Sequence, residues 1–204
     1  MRKTRVLDFK SEAPDLCLLR ADGVQVRLSS LWADKALLLA FARHFGCTQC
    51  KEMLSEIVEG KDRIEGAGLG IAVVTQGSPQ AAAEFGKKHA PGLLVLSDPE
   101  RAAYRAYGLE RGSIFQVALN PRVFRAVSRA KKKGYRLELP PEGQDAMQMS
   151  GIFVINRAGR IALPYYYDDI ADHPSLDILL SGVLSTDWDA PFDGAIGPGG
   201  RRRR

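Results

Sequence analysis

Ala36-Leu37-Leu38-Leu39-Ala40-Phe41, followed within six residues by Cys47-Thr48-Gln49-Cys50, decides the fold. The first stretch is a continuous apolar run, the signature of a strand buried on both faces. From Cys50 the apolar positions continue as Met53, Leu54, Ile57 and Val58, the spacing of one buried helix face. Two thiols therefore stand where a buried strand gives way to the first turn of a helix. Such a pair can close a small disulfide ring and reopen it. A helix N-terminus, with its unpaired N–H groups and partial positive charge, favours thiolate over thiol. The spacing assigns roles. Cys47, at the helix end, is expected exposed and attacking; Cys50, heading the apolar face, is expected shielded and resolving.

Outward from this junction the chain alternates strand and helix. Residues 16–28 read as a hairpin turning at Asp22-Gly23, with Cys17 in its first arm as a small buried or edge residue. Residues 69–75 and 93–96 read as strands. Ser78 caps a helix running to His89, and a short helix follows Ser97-Asp98-Pro99. Residues 151–155 and 161–167 flank Asn156-Arg157-Ala158-Gly159 as a second hairpin, and a helix over 174–184 closes the domain. This order predicts a thioredoxin-like α/β fold, a central mixed sheet flanked by helices. It has an N-terminal hairpin and a helical insertion, residues 110–150, before the last hairpin. One domain over 1–185 and a disordered basic tail over 186–204 are expected.

Composition narrows the function. The 204 residues carry a formal charge of +5, and Arg201, Arg202, Arg203 and Arg204 account for four of it, so the folded body is nearly neutral. No nucleic-acid partner is expected on that basis. No stretch approaches the roughly 18 uncharged apolar residues of a membrane span, so no membrane partner is expected. The N-terminus lacks an apolar signal segment, and three cysteines fit a reducing compartment; a cytoplasmic protein is expected. The Cys pair has no second CxxC to complete a zinc site, so neither a metal nor another cofactor is expected. Gly66-Ala67-Gly68-Leu69-Gly70 leads from helix into strand, the wrong order for a dinucleotide loop. Arg43 and His44 precede the Cys loop. A guanidinium beside Cys47 would stabilise its thiolate and hydrogen-bond an oxygen-rich substrate. His44 reads mainly as loop packing, with Thr48 and Gln49 between the thiols as further substrate contacts.

The stretch from Phe41 to Glu52 resembles the active-site strand and helix of AhpC/TSA-type peroxiredoxin-like proteins, the branch of peroxiredoxin-like 2 and prostamide/prostaglandin F synthase. Ala13-Pro14-Asp15, Ser97-Asp98-Pro99 with Tyr104-Arg105-Ala106-Tyr107-Gly108-Leu109, Gly151-Ile152-Phe153-Val154-Ile155 and Asp168-Asp169-Ile170-Ala171-Asp172-His173-Pro174 extend the resemblance. It implies thiol-based reduction of a peroxide, endoperoxide or related oxidant, with Cys47 and Cys50 in the redox positions and a thioredoxin-like external reductant. Two departures stand out. Thr48-Gln49 replaces the Pro and aromatic more usual between the cysteines. The Pro-x-x-x-Thr-x-x-Cys frame of typical peroxiredoxins, counted back from Cys50, meets Cys47 and Arg43 instead. Two other functions fit the same sequence: a disulfide exchanger without peroxidase activity, or an anion-binding module using the cations of 121–136. One version of the latter packs Phe124 and Val127 over the dithiol.

Overall fold

The computed structural model describes residues 6–181. Seven strands form one sheet in the order β2-β1-β5-β4-β3-β6-β7. They are β1 (Cys17–Arg20), β2 (Gln25–Arg27), β3 (Ala36–Phe41), β4 (Leu69–Thr75), β5 (Leu94–Ser97), β6 (Gly151–Ile155) and β7 (Ile161–Tyr166). Strands β3, β4 and β5 run parallel, while β1 joins β5, and β6 joins β3, antiparallel. The mixed sheet is thus the expected one, with both hairpins in place at its two ends.

Strand β3 is buried along its whole length, and its side chains alternate between two cores. Ala36, Leu38 and Ala40 face one layer with the dithiol helix; Leu37, Leu39 and Phe41 face the other. That second layer holds Phe41 against Tyr104, Tyr107 and Phe153, at centroid separations of 5.1, 5.1 and 5.7 Å. Such ring pairs each contribute about 0.5–1.5 kcal/mol beyond their area. The Tyr104 hydroxyl donates to the Ala42 and Val74 carbonyls, tying the exit of β3 to β4. The chain end that carries the thiols is therefore rigid.

The helices are α1 (Ser29–Trp32), α2 (Thr48–Glu59), α3 (Lys61–Gly66), α4 (Pro79–His89), α5 (Ala102–Ala106), α6 (Pro121–Lys132) and α7 (Leu176–Ser181). Ser78 caps α4, its hydroxyl accepting from Ala81 N–H at 3.3 Å, with Pro79 in the first turn. Helix α2 stops at Gly60, where a Cβ would lie 1.9 Å from the Leu176 side chain, so α7 packs directly on that corner.

Two expectations need correction. Cys17 is exposed, and β1 lies between β2 and β5 rather than at the sheet edge. Its neighbour Leu18 takes the inward position of the strand instead. In the turn after β7, Asp169 and Asp172 are buried, and Arg122 pairs with both. Finally, α6 turns Val123, Ala126 and Ala130 inward and leaves Phe124 exposed. A π-helical turn, Phe115–Leu119, which no sequence pattern announces, precedes α6. The expected tail, 186–204, and the last residues of the closing helix lie outside the described residues.

Candidate active site

Residue 42 ends the sheet register, its N–H donating to the Val74 carbonyl, and the chain then folds through Arg43, His44, Phe45 and Gly46 into α2. Cys47 is the N-cap, in extended conformation, so its sulfur sits beside the free first-turn N–H groups. Both thiols are reduced, and both are buried, at 1% and 3% exposure. The burial of Cys47 overturns the expected exposed helix end.

Its cover is the 110–150 insertion. Glu138 N–H donates to the Gly46 carbonyl at 3.1 Å, and the contact is so close that a Cβ on Gly46 would lie 2.1 Å from the Glu138 carbonyl oxygen. Phe45 N–H donates to the Gln144 side chain at 2.9 Å. Lys51 pairs with Glu138 at 2.6 Å, and Lys133 with Glu52 at 2.5 Å, so charges on the first turn of α2 hold the strap down. This explains why Lys51 and Glu52 are buried although they lie outside the helix's apolar face.

Arg43 is buried, not solvated. Its Nε donates to the Gln148 carbonyl at 2.8 Å and Nη2 donates to the Ala146 carbonyl, which leaves Nη1 at 3.4 Å from the Cys47 sulfur. Gln76 Nε2 in turn holds the Arg43 carbonyl at 2.8 Å, while its Oε1 accepts from Asp145 N–H at 2.8 Å. The Arg43 backbone N–H points at the Cys50 sulfur at 3.2 Å.

The electrostatics separate the two thiols. A hydrogen bond from the Cys50 thiol brings Cys47 down from 9.0 to about 6; burial opposes this, and the Arg43 charge adds to it. Cys50 moves up, through burial first and then through donating to Cys47. At neutral pH the pair is one thiolate and one thiol. The His44 ring is brought down to about 4 by burial and by the Arg43 and Lys51 charges, so it is neutral there.

Thr48 is fully buried, and its hydroxyl donates to Gln49 Oε1 at 2.8 Å. That same oxygen lies 4.0 Å from the Cys47 sulfur. His44 Nδ1 and Gln49 Nε2 are buried polar atoms without a partner among the described residues. An unmet N–H or lone pair in a buried site is costly unless a ligand meets it. Rotating the Gln49 amide exchanges its ends, so it can accept from a thiol or sulfenic acid and donate to a thiolate. All six residues named from the sequence thus meet within one loop and one helical turn. Sequence reading missed Gln76 and the carbonyls of Ala146 and Gln148. Carbonyls carry no side-chain signal; Gln76, just past the carboxyl end of β4, was findable by the open-sheet rule. Among the described residues, no grouping of three or more His, Cys, Asp or Glu suits a metal ion.

The AhpC/TSA family model matches residues 9–163. The chain belongs to the AhpC/TSA family. It is 32% identical over 114 residues to the thioredoxin-like protein AAED1, chloroplastic, of Arabidopsis thaliana, covering 56% of this chain and 45% of that one. It thus spans less than half the length of that relative. The prostamide/prostaglandin F synthase of Salmo salar is 27% identical over 166 residues, with 78% and 80% covered. Peroxiredoxin-like 2C of Bos taurus is 25% identical over 183 residues, with 85% and 80% covered. These names are those of the branch the sequence resembles. Among solved structures, the peroxidoxin BcpB of Mycobacterium tuberculosis superposes with a TM-score of 0.64 at 15% identity, covering 89% of this chain and 98% of that one. The thiol:disulfide interchange protein DsbE of Chlorobium tepidum superposes at 0.59 and 20% identity, with 87% and 99% covered. At such identities the likeness establishes the thioredoxin-like fold. No helix among the described residues is long and apolar enough to cross a membrane.

Proposed function

We propose that this protein is a cytoplasmic thiol oxidoreductase that reduces a small peroxide, endoperoxide or related oxidant through a Cys47–Cys50 dithiol cycle. The observation that carries the reading is the buried thiolate: Cys47 at about 6, with Arg43 Nη1 at 3.4 Å and Cys50 as its hydrogen-bond donor. Cys47 S⁻ attacks one peroxide oxygen and breaks the O–O bond. The sulfur becomes a sulfenic acid, and the departing alkoxide takes a proton to leave as an alcohol. An endoperoxide gives the sulfenate ester instead, the second oxygen remaining on the opened substrate. Cys50 sulfur then attacks Cys47 sulfur, forming the disulfide and releasing water or the alcohol. An external dithiol, such as a thioredoxin-like protein, returns two electrons and two protons.

Arg43 holds the thiolate and donates to the oxygen on which charge develops, while Thr48, Gln49 and His44 contact the substrate. His44 Nδ1, unpaired in the neutral ring, and Gln49 Nε2 are polar groups that a small oxidant can satisfy. Stopped-flow oxidation of the reduced protein by a panel of hydroperoxides tests this. Cys47→Ser abolishes the reaction; Cys50→Ser keeps the first step and accumulates sulfenic acid. The opposite pattern overturns the roles.

Disulfide exchange is the competing reading. With its sulfur 1% exposed, Cys47 meets a protein disulfide only after the strap lifts, as it must for the protein reductant, whereas oxidation by a small molecule needs the smaller opening; burial therefore favours a small oxidant. Insulin reduction faster than hydroperoxide turnover, with the same reductant, reverses that order.

A further inference from the structure

Residues 111–137 contain no Asp or Glu, although the chain has 24 of them, and they carry Arg111, Arg122, Arg125, Arg129, Lys131, Lys132, Lys133 and Arg136. Several of these cations are engaged internally. Arg111 pairs with Asp145, Arg122 with Asp169 and Asp172, and Arg129 and Lys133 with Glu52. Arg125, Lys131 and Lys132 are exposed and make no ion pair among the described residues.

The same segment concentrates exposed apolar side chains. Ile114, Phe115, Leu119 and Phe124 are 64%, 58%, 59% and 62% exposed. With Leu137 and Leu139 on the strap, they are six of the eight large hydrophobics exposed among the described residues. Helix α6 and the π-helical turn pack on each other, so Phe115, Leu119 and Phe124 share one region of the surface with the cations of α6. The inward face of α6 is already occupied by Val123, Ala126 and Ala130 against α2 and the core, so these outer residues do not serve the fold.

We propose that this face docks the protein on an anionic lipid surface. A basic helix with Phe and Leu beside its cations has the composition of an interfacial element: the rings enter the headgroup boundary while Lys and Arg meet the lipid phosphates. The one carboxylate within 111–139, Glu138, is paired with Lys51, so this stretch presents mainly cations. An acidic protein patch also pairs with cations, but exposed phenylalanines beside them suit the headgroup boundary of a fluid anionic surface. Peripheral docking of this kind requires no membrane span and stands independently of the redox chemistry.

Sedimentation of the full chain with phosphatidylcholine vesicles, with and without phosphatidylglycerol, tests the proposal. Binding to the mixed vesicles alone, weakening with salt, is expected. Each cation near the surface contributes about fivefold in affinity, so Arg125→Gln, Lys131→Gln and Lys132→Gln together lower it by roughly 100-fold. Phe115→Ser with Phe124→Ser weakens binding at unchanged charge. Replacing Arg201, Arg202, Arg203 and Arg204 by serine leaves most of it. Equal binding to neutral vesicles, or binding lost only with the terminal arginines, overturns the proposal. So does retention on RNA or an acidic polypeptide without vesicle binding. A Phe124→Trp variant gives a second readout independent of any multiple substitution: its added emission shifts to the blue on anionic vesicles, and an unchanged spectrum overturns the docking geometry.

Discussion

Arg43 donates its Nε–H to the carbonyl of Gln148, 105 residues further along the chain, at 2.8 Å. That bond fixes the plane of a guanidinium whose remaining arm reaches Cys47. It also joins the exit of β3 to the loop entering β6, so the thiolate's cation is positioned by long-range topology rather than by its own rotamer preference. A planar fork meets a carbonyl and a sulfur at once; an ammonium on a flexible stem does not.

Arg43→Met therefore removes the cation at similar length. An opposite charge at this range typically lowers a pKa by ~1–3 units, so Cys47 rises from about 6 by that order. Ultraviolet thiolate absorbance against pH reads the shift, and hydroperoxide reactivity at neutral pH falls with it. The variant also loses stability, because the carbonyl of buried Gln148 loses its donor, at about 1–3 kcal/mol for a buried unsatisfied group, and the half-buried Ala146 carbonyl loses its own at smaller cost. An unmoved titration would show that the Cys50 hydrogen bond alone sets the thiolate.

Gly46→Ala places a methyl where the Glu138 carbonyl oxygen now lies. Backbone cannot give way as a side chain does, so the strap lifts. The expected result is a destabilisation of about 1–3 kcal/mol, as for other overpacked sites. Alkylation of Cys47 by bulky maleimides then accelerates more than alkylation by iodoacetamide. Equal acceleration of both reagents would place the barrier elsewhere than in the strap.

His44 gives the site a pH dependence. Its folded value, about 4, lies below its ordinary 6.5, so the unfolded chain binds the extra proton first. Stability is therefore full above 6.5 and is lost as pH falls through 6.5 toward 4. Cys47, lowered from 9.0 to about 6, adds stability that is complete above 9.0 and lost as pH falls through about 6. His44→Phe makes the lower slope shallower, leaving the share of His89, whose ring burial also brings down, and retains the upper one. Denaturant midpoints across pH 4 to 9 separate the two, and an unaltered acid slope would contradict the burial of an uncharged ring.

Much of this architecture was legible because local signals agreed. Ser78 with Pro79 marks the start of α4, Asp22-Gly23 marks the first turn, and the unbroken apolar run of β3 marks a central strand. The Cys pair fell at the carboxyl end of that strand, and Arg43 four residues before Cys47 was close enough in sequence to be weighed. What stayed hidden depends on the insertion. The first turn of α2 is amphipathic by pattern, with Lys51 and Glu52 on its polar side, and only the strap makes that side buried. Phe124 misled for a related reason: it is the largest apolar residue of α6, yet the small Ala126 and Ala130 permit the close approach to α2. Size predicted burial, and packing distance decided it.

The two latches on α2 make a last test of how Cys47 is reached. Lys51 is 5% exposed and Glu52 8%, while their partners Glu138 and Lys133 are more than half exposed. Each pair therefore has one desolvated end, and screening acts mainly through the other. Partly exposed pairs contribute about 0.2–1 kcal/mol each, so losing both raises the open fraction of the strap by roughly two- to thirtyfold. Glu138→Gln with Lys133→Gln is expected to speed Cys47 alkylation by that order and to flatten its dependence on salt, the remnant coming from Arg129, which still pairs with Glu52. In the wild type the rate climbs with salt as the latches weaken. The Cys47 titration near 6 stays in place, since neither partner touches the sulfur. Alkylation that is insensitive to both salt and substitution would mean that Gly46, Phe45 and Gln144 hold the strap without help from charge.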